Sequence, residues 1–357
     1  MGSLQRVVVV YGATGTQGRA VALSLLKSRQ NFTVRALTRN PESENAQELA
    51  KLGAEVVKAD GFNDDSMKAA LTGAWGFWLN THHHDPSVTT PGGPTDEDLG
   101  RRLVTIAAQA GVKVFIYSTC ESPDKFTNGK APVPGMDAKH RVELFAREFK
   151  EFDSVIGAFP GWYFENLITP IYAQSFGGFP LYPDAEGFLT FTSPLVGGEG
   201  KVQTVSIADD FGEMVHGMFL NPEKWKNQTI QCLSEAFTYE DMVKTFTEGK
   251  LCNIPSICLT FETLQNMLII YIVTGKKARY VPMASYMDFP THDNTVLIEL
   301  RDVFRYTQHN NGQFFGNADN VITCQHLKDE ARRDKGLPQE PVISMRDYLI
   351  NHYGNKV

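Results

Sequence analysis

Three glycines at a fixed spacing, Gly12, Gly15 and Gly18 in VVVVYGATGTQGRA, are the first residues whose types and positions point to chemistry. A glycine-rich turn between a strand and a helix brings backbone close to a bound anion, and the helix N-terminus supplies N–H groups and partial positive charge. Gly12 permits the tight exit from the strand, Gly15 the approach of a pyrophosphate, and Gly18 close packing of the helix on the sheet. With Thr14, Thr16 and Gln17 between them, the glycines form GxxGxxG, one residue wider in its first gap than the usual GxGxxG. The turn predicts a dinucleotide cofactor.

The residue that reads the ribose is expected about 20 positions further on, at the end of the second strand. It is Arg39. A carboxylate there accepts from a free 2′-hydroxyl, whereas a guanidinium pairs with a 2′-phosphate and stacks on adenine. Arg39 therefore favours NADP(H) over NAD(H), its alternative being a solvated strand-end charge. Asp60, at the end of the third strand, is placed either to accept from the adenine amino group or to cap the next helix.

The elements that must position these residues follow a regular rhythm. The β-branched run at 7–11 does not alternate, as expected for a parallel strand buried on both faces, and a helix with apolar Ala20, Val21, Leu25 and Leu26 follows the turn. FTVRALTR, AEVVKAD, WGFWLNT and VKVFIYSTC read as further strands. ESENAQELAKLG, DSMKAALTG and LGRRLVTIAAQAG read as helices, with Gly53 and Gly73 ending the first two. Alternating strands and helices predict an α/β fold: a doubly wound parallel-sheet Rossmann domain over 5–155, with ligands at the carboxyl ends of its strands. Beyond it the rhythm gives way to aromatic, Gly/Pro-rich text, so 156–357 is expected to form a smaller C-terminal α/β lobe interleaved with the first sheet. There VSIADDFGEMVHGMFLN reads as a short strand leading into a helix and SMRDYLINHY as a closing helix. Segment 250–327, with an apolar run at 256–273 and polar, Asn-rich text behind it, is readable as an insertion.

Composition narrows the class. Apolar residues make up 42% of 357 and charged residues 21%, the mix of an ordinary globular protein. Lys+Arg 34 against Asp+Glu 41 gives −7, and no basic run is long enough to track a phosphate backbone, so direct nucleic-acid binding is disfavoured. Cys120, Cys232, Cys252, Cys258 and Cys324 make neither a CxxC pair nor an even framework and are expected as free thiols in a reducing compartment. No signal-peptide pattern, lipid anchor or stretch of roughly 18 apolar residues is evident, which predicts a cytoplasmic protein, with the nucleus as the alternative.

GATGTQG followed by VRALTRNP, GAEVVKADGFND and PGWYFENL resembles the NmrA-like family of atypical short-chain dehydrogenases/reductases over most of 5–245. The resemblance implies a Rossmann domain with a smaller C-terminal lobe and, in redox-sensing members, preferential NADP(H) binding. Carried onto matching positions, it implies cofactor contacts at 12–18, Arg39, Asp60, Thr81 and His82, Lys139, and the loop Tyr163, Phe164, Glu165 and Asn166.

Short-chain reductases usually work through Tyr-xxx-Lys, in which the lysine lowers the tyrosine pKa and a serine orients the carbonyl. Lys139 in GMDAKHRVE and Ser118 in YSTCE hold the lysine and serine places, but Gly135 stands where the tyrosine belongs. Lys139, Tyr163 or His140 could replace it. Lys139 is favoured, as in relatives of the isoflavone-reductase type, against the alternative that it only holds ribose hydroxyls; Ser118 is a carbonyl-orienting group or a plain strand-end hydroxyl. HHHDP at 82–86 is not read as a metal site, because successive side chains of extended backbone point to opposite faces; no metal is expected. The stretch 84–98 reads as a mobile loop above the nicotinamide end. Trp75, Phe77 and Trp78 read as sheet core, while Phe159, Trp162, Tyr163 and Phe164 suggest an aromatic substrate pocket. Two readings result: an NADPH-dependent oxidoreductase acting on a small, aromatic metabolite, or an NADP(H) redox sensor that regulates a partner protein.

Overall fold

The computed structural model describes residues 6–28, 32–248 and 277–353. Cys252, Cys258 and the apolar run 256–273 lie outside them. In chain order the described strands are β1 (Arg6–Val10), β2 (Phe32–Thr38), β3 (Glu55–Lys58), β4 (Gly76–Leu79), β5 (Val114–Ser118) and β6 (Ser154–Pro160). There follow β7 (Trp162–Tyr163), β8 (Leu189–Pro194), β9 (Lys201–Val205), β10 (Thr229–Cys232), β11 (Glu235–Thr238) and β12 (Ala278–Met283). By their contacts the residues divide into two units. Met1–Gly161, Ile207–Ser234 and Phe315–Val342 form the first; Trp162–Ser206, Glu235–Phe314 and Ile343–Val357 form the second.

The first unit holds a parallel seven-stranded sheet in the order β10-β6-β5-β4-β1-β2-β3. The chain builds outward from β1 to β3, then returns to β4 on the other side of β1. That reversal opens the crevice at the carboxyl ends of β1 and β4 where doubly wound sheets bind ligands. The five strands expected from the sequence are present, and β6 and β10 extend them. β6 is buried along all seven residues, and β10 is only four residues long.

Helices cover both faces. Met67, Leu71, Leu99, Leu103, Val104, Val142 and Ala146 pack with Val9, Phe77, Leu79, Phe115 and Tyr117 in one apolar cluster. On the other face, Phe32, Trp75 and Phe219 stack or meet edge to face, and Trp78 meets Phe211 at 5.7 Å. The helix Gly212–Leu220 lies so close to its neighbours that a Cβ on Gly212 would overlap the Ala20 carbonyl oxygen and one on Gly217 that of Leu327. Buried polar bonds fix the same layer. Lys328 Nζ donates to Asp210 Oδ1 at 2.6 Å, and the Lys335 ammonium pairs with Glu213. Burial pushes the His216 imidazole below its ordinary value, with Asp334 partly offsetting this; the neutral ring donates from Nε2 to Asp334 and accepts at Nδ1 from the Ser24 hydroxyl.

One expectation is corrected. The fifth-strand approach helix, expected from residue 99, starts at Asp96, because Thr95 and Asp98 form a capping box. The end of the stretch read as a mobile loop is thus helical, and Asp96 is buried.

The second unit has a three-stranded sheet, β11-β9-β7, and a parallel pair, β12-β8. Its core is aromatic, with Phe176 stacked on Phe191 at 4.9 Å and Phe164 against Tyr348 at 4.9 Å. The closing helix is present over Met345–Tyr353. Among the described residues no helix is long and apolar enough to cross a membrane, and Cys120, Cys232 and Cys324 form no disulfide.

The backbone approach at Gly217 gives a first test. Gly217→Ala is expected to lower the unfolding free energy by about 2 kcal/mol in urea titrations, since neither partner is a flexible side-chain tip that can yield. An unchanged midpoint would show that the two helices part freely.

Candidate functional site

The glycine turn has the geometry of an anion cradle. Gly12 takes φ +67°, which a side chain rarely adopts, and a Cβ on Gly18 would overlap the Gly12 carbonyl oxygen. The helix Thr16–Leu26 therefore starts in direct contact with the turn. Gly15 is its N-cap, and no side chain caps that end. Gly12, Gly15 and Thr16 are exposed, while Gln17 and Gly18 are buried beneath them. A pyrophosphate fits such a site: backbone donors and the helix dipole face an end no side chain fills.

The end of β2 is joined to this turn. The Ala13 N–H donates to the Leu37 carbonyl at 3.2 Å, Thr14 Oγ1 lies 3.5 Å from Thr38 Oγ1, and Asn45 Nδ2 donates to the Thr14 carbonyl at 3.1 Å. Arg39 follows directly and is largely exposed. It is not a bare solvated charge, because its guanidinium pairs with Asp85 at 2.8 Å. The bond to Arg39 holds the Asp85 carboxyl well below its usual range, despite partial burial. Asp60 does not cap the next helix; Asn63 does, accepting from the Ser66 N–H at 2.9 Å. The exposed Asp60 carboxylate instead accepts from the Phe62 N–H at 3.0 Å.

The carboxyl ends of β4 and β5 hold a buried polar cluster. Lys139, on the helix Pro134–Arg147, donates from Nζ to the Thr81 carbonyl at 2.8 Å and to Thr81 Oγ1 at 3.1 Å. Its Nζ lies 3.8 Å from Asp96 Oδ2, with only 9% and 6% of the two side chains exposed. Thr81 Oγ1 donates to Asp96 Oδ2 at 3.0 Å and lies 3.2 Å from the Tyr117 hydroxyl. Since the Thr81 hydrogen goes to Asp96, Tyr117 donates to Thr81, whose two lone pairs then serve Tyr117 and Lys139. The ammonium also lies 5.3 Å from the centre of the Tyr117 ring. Burial pushes the Tyr117 phenol up to about 12, against the lowering effect of Lys139. Asp96 keeps one buried oxygen, Oδ1, with no hydrogen-bond partner.

The other expected residues are distributed as follows. Ser118 ends β5 and is 2% exposed, and His82 is exposed beside Thr81. His140 Nδ1 faces Glu121 at 3.5 Å, and burial pushes its imidazole below the ordinary value. Tyr163, Phe164, Glu165 and Asn166 belong to the second unit. There Tyr163 registers with Val205, Phe164 is buried in the core, Glu165 accepts from Ser206 Oγ at 3.5 Å, and the Asn166 carbonyl accepts from the Thr169 N–H. Of the aromatic residues read as a pocket, Phe159 and Phe164 are core, and only Trp162 and Tyr163 are half-buried.

Asp85, Asp96 and Tyr117 were not among the expected site residues. For Asp96 a signal existed in TDED, where Thr95 and Asp98 have capping-box spacing. Tyr117 and Asp85 become visible only when strand order brings them beside Lys139 and Arg39.

The model of the NmrA-like family matches residues 5–313. An NmrA-like family domain-containing oxidoreductase of Aspergillus hancockii is 38% identical over 356 residues, spanning 99% of this chain and 98% of the relative. Among solved structures, the negative transcriptional regulator NmrA in complex with NADP aligns with a TM-score of 0.67 at 17% identity, covering 98% of this chain and 95% of that one. An NADPH-dependent quinone oxidoreductase from Escherichia coli, complexed with NADPH, aligns with a TM-score of 0.63 at 18% identity, covering 97% and 99%. At these identities the two solved structures are alike in fold.

The Tyr117 phenol sets an alkaline test. A folded value raised above the ordinary 10.0 adds stability that is complete below about pH 10 and is lost as pH rises towards 12. Tyr117→Phe is expected to reduce the stability lost between about pH 9 and pH 11 by roughly 1 kcal/mol in urea titrations. An equal loss in both proteins would mean that this phenol ionises normally.

Proposed function

The chain belongs to the NmrA-like family, and on that premise we propose that it is an NADPH-dependent oxidoreductase acting on a small, aromatic metabolite. The observation that carries this reading is the buried Lys139–Thr81–Asp96 cluster at the carboxyl ends of β4 and β5. NADPH, when bound, supplies a hydride from its nicotinamide. Gly12, Gly15 and Thr16 would receive the pyrophosphate, and Arg39 the 2′-phosphate. Lys139 holds a proton at Nζ, with the carbonyl and hydroxyl of Thr81 as acceptors and a carboxylate at 3.8 Å, an arrangement that suits an ammonium acting as donor towards a substrate oxygen. Ser118 offers a hydroxyl at the neighbouring strand end, and Tyr163 is the second candidate for the proton. The description of the Aspergillus hancockii relative as an oxidoreductase and the NADPH dependence of the quinone oxidoreductase support the same class. The aromatic run Phe159, Trp162, Tyr163 and Phe164 is the sequence feature behind an aromatic substrate.

A second reading, an NADP(H)-responsive regulator of a partner protein, is favoured by one observation. Gly135 occupies the place of the proton-donating tyrosine on the helix Pro134–Arg147.

The test is NADPH oxidation followed at 340 nm against aromatic ketones, enones, imines and quinones. Lys139→Ala is expected to abolish turnover while weakening NADPH binding only about three- to tenfold, the scale of one ordinary net hydrogen bond. Full turnover by that variant would remove the lysine from the chemistry, and tight binding without turnover of any compound would favour the regulator. For cofactor choice, Arg39→Ala is expected to weaken NADPH binding by about tenfold or more and to leave NADH binding nearly unchanged. Equal losses would contradict a 2′-phosphate contact.

A further inference from the structure

The Arg39 guanidinium already has an anionic partner. Its Nη2 donates to Asp85 Oδ2 at 2.8 Å and its Nη1 to Oδ1 at 3.5 Å, so both carboxylate oxygens face the fork. Arg39 leaves the end of β2 and Asp85 belongs to the segment that follows β4, while β1 runs between those two strands. The ion pair therefore spans the carboxyl end of β1, where the glycine turn begins. Asp85 is also built into its own segment. It accepts from the Ser87 N–H at 3.0 Å and the Ser87 hydroxyl at 2.6 Å, capping the short helix Pro86–Thr89. The Arg39 side chain is 64% exposed and that of Asp85 only 18%, so the guanidinium is the member an incoming ligand meets.

We propose that Asp85 is a cofactor-specificity residue: it occupies Arg39 in the absence of a 2′-phosphate, and NADP(H) must take the guanidinium from it, whereas NAD(H) need not. The inference rests on the assignment of Arg39 to the 2′-phosphate. A phosphate dianion and the Asp85 carboxylate repel one another at this range, so the fork serves one of them at a time. A 2′-hydroxyl carries no charge and leaves the pair in place. Asp85 thus lowers the affinity for NADP(H) selectively and narrows the preference that Arg39 alone would give.

The experiment is calorimetric titration of NADPH and NADH into the full chain and into Asp85→Asn, Arg39→Ala and the double variant, at low salt. Asparagine keeps the oxygen that accepts from Ser87 and is itself a good cap, so the local fold is retained. Asp85→Asn is expected to bind NADPH about three- to fivefold more tightly than the unaltered chain, with NADH changed by less than about twofold. In the Arg39→Ala background the gain should shrink to less than about twofold, because no guanidinium remains to be released. Unchanged or weaker NADPH binding by Asp85→Asn overturns the inference while a selective NADPH loss in Arg39→Ala leaves the Arg39 assignment standing. A gain that persists without Arg39 also overturns it, since general charge repulsion would then suffice. Equal loss of both cofactors in Arg39→Ala removes the Arg39 assignment and the inference with it.

Discussion

A lysine ammonium among apolar side chains must find acceptors or leave, and that requirement organises the carboxyl ends of β4 and β5. Lys139 satisfies it with the carbonyl and hydroxyl of Thr81 and with the Asp96 carboxylate. Three elements are tied together as a result: the end of β4, the first turn of the helix Asp96–Gln109 and the helix Pro134–Arg147. Tyr117 closes the cluster from β5 through the Thr81 hydroxyl. Removing the lysine would leave a buried carboxylate facing no cation, so the same contacts that prepare a proton donor also hold the crevice wall in place.

On the other side of the crevice the constraint is steric. A helix that begins against its own preceding turn tolerates no Cβ at Gly18, and the absence of a side-chain cap leaves its N-terminus to a ligand. The bonds from Ala13 to Leu37 and from Asn45 to Thr14 fix the end of β2 beside that turn, which is why Arg39 emerges there. One side of the crevice is thus suited to a dinucleotide's phosphates and the other to a proton held in a dry setting. The fold is shared with the solved NmrA structure, and the chemistry rests on the side chains placed on it.

The first sheet was legible because a parallel strand buried on both faces leaves a continuous apolar run between turn signals. FTVRALTR and AEVVKAD, whose strands β2 and β3 have exposed or half-buried positions, were legible from the repeating strand–helix rhythm, whereas WGFWLNT and VKVFIYSTC, buried throughout β4 and β5, carry that mark. β10 does not, because TIQC is short and half-polar, and SVIGAFP runs into the aromatic text behind it. The residues singled out by local spacing, namely the glycines, Arg39 by its distance from them, and Lys139 by its place after the fifth strand, all lie towards the carboxyl ends of the first sheet. Asp85 and Tyr117 were hidden because their partners lie 46 and 22 positions away along the chain, in contacts that only strand order creates. Asp96 was hidden by company, since TTPGGPTDED has loop composition and its last residues turn helical only through the Thr95–Asp98 cap. Of the aromatic run at 159–164, Phe159 and Phe164 fill the two cores, while Trp162 and Tyr163 are half-buried.

The central claim is that the glycine turn and the Arg39 edge form one NADP(H) site. It is tested most directly by calorimetric titration of NADP⁺ into the purified chain, read for stoichiometry. One molecule bound per chain, displaced competitively by NADPH, is the predicted result. No binding of either form, in a chain shown to be folded by its thermal transition, would contradict it.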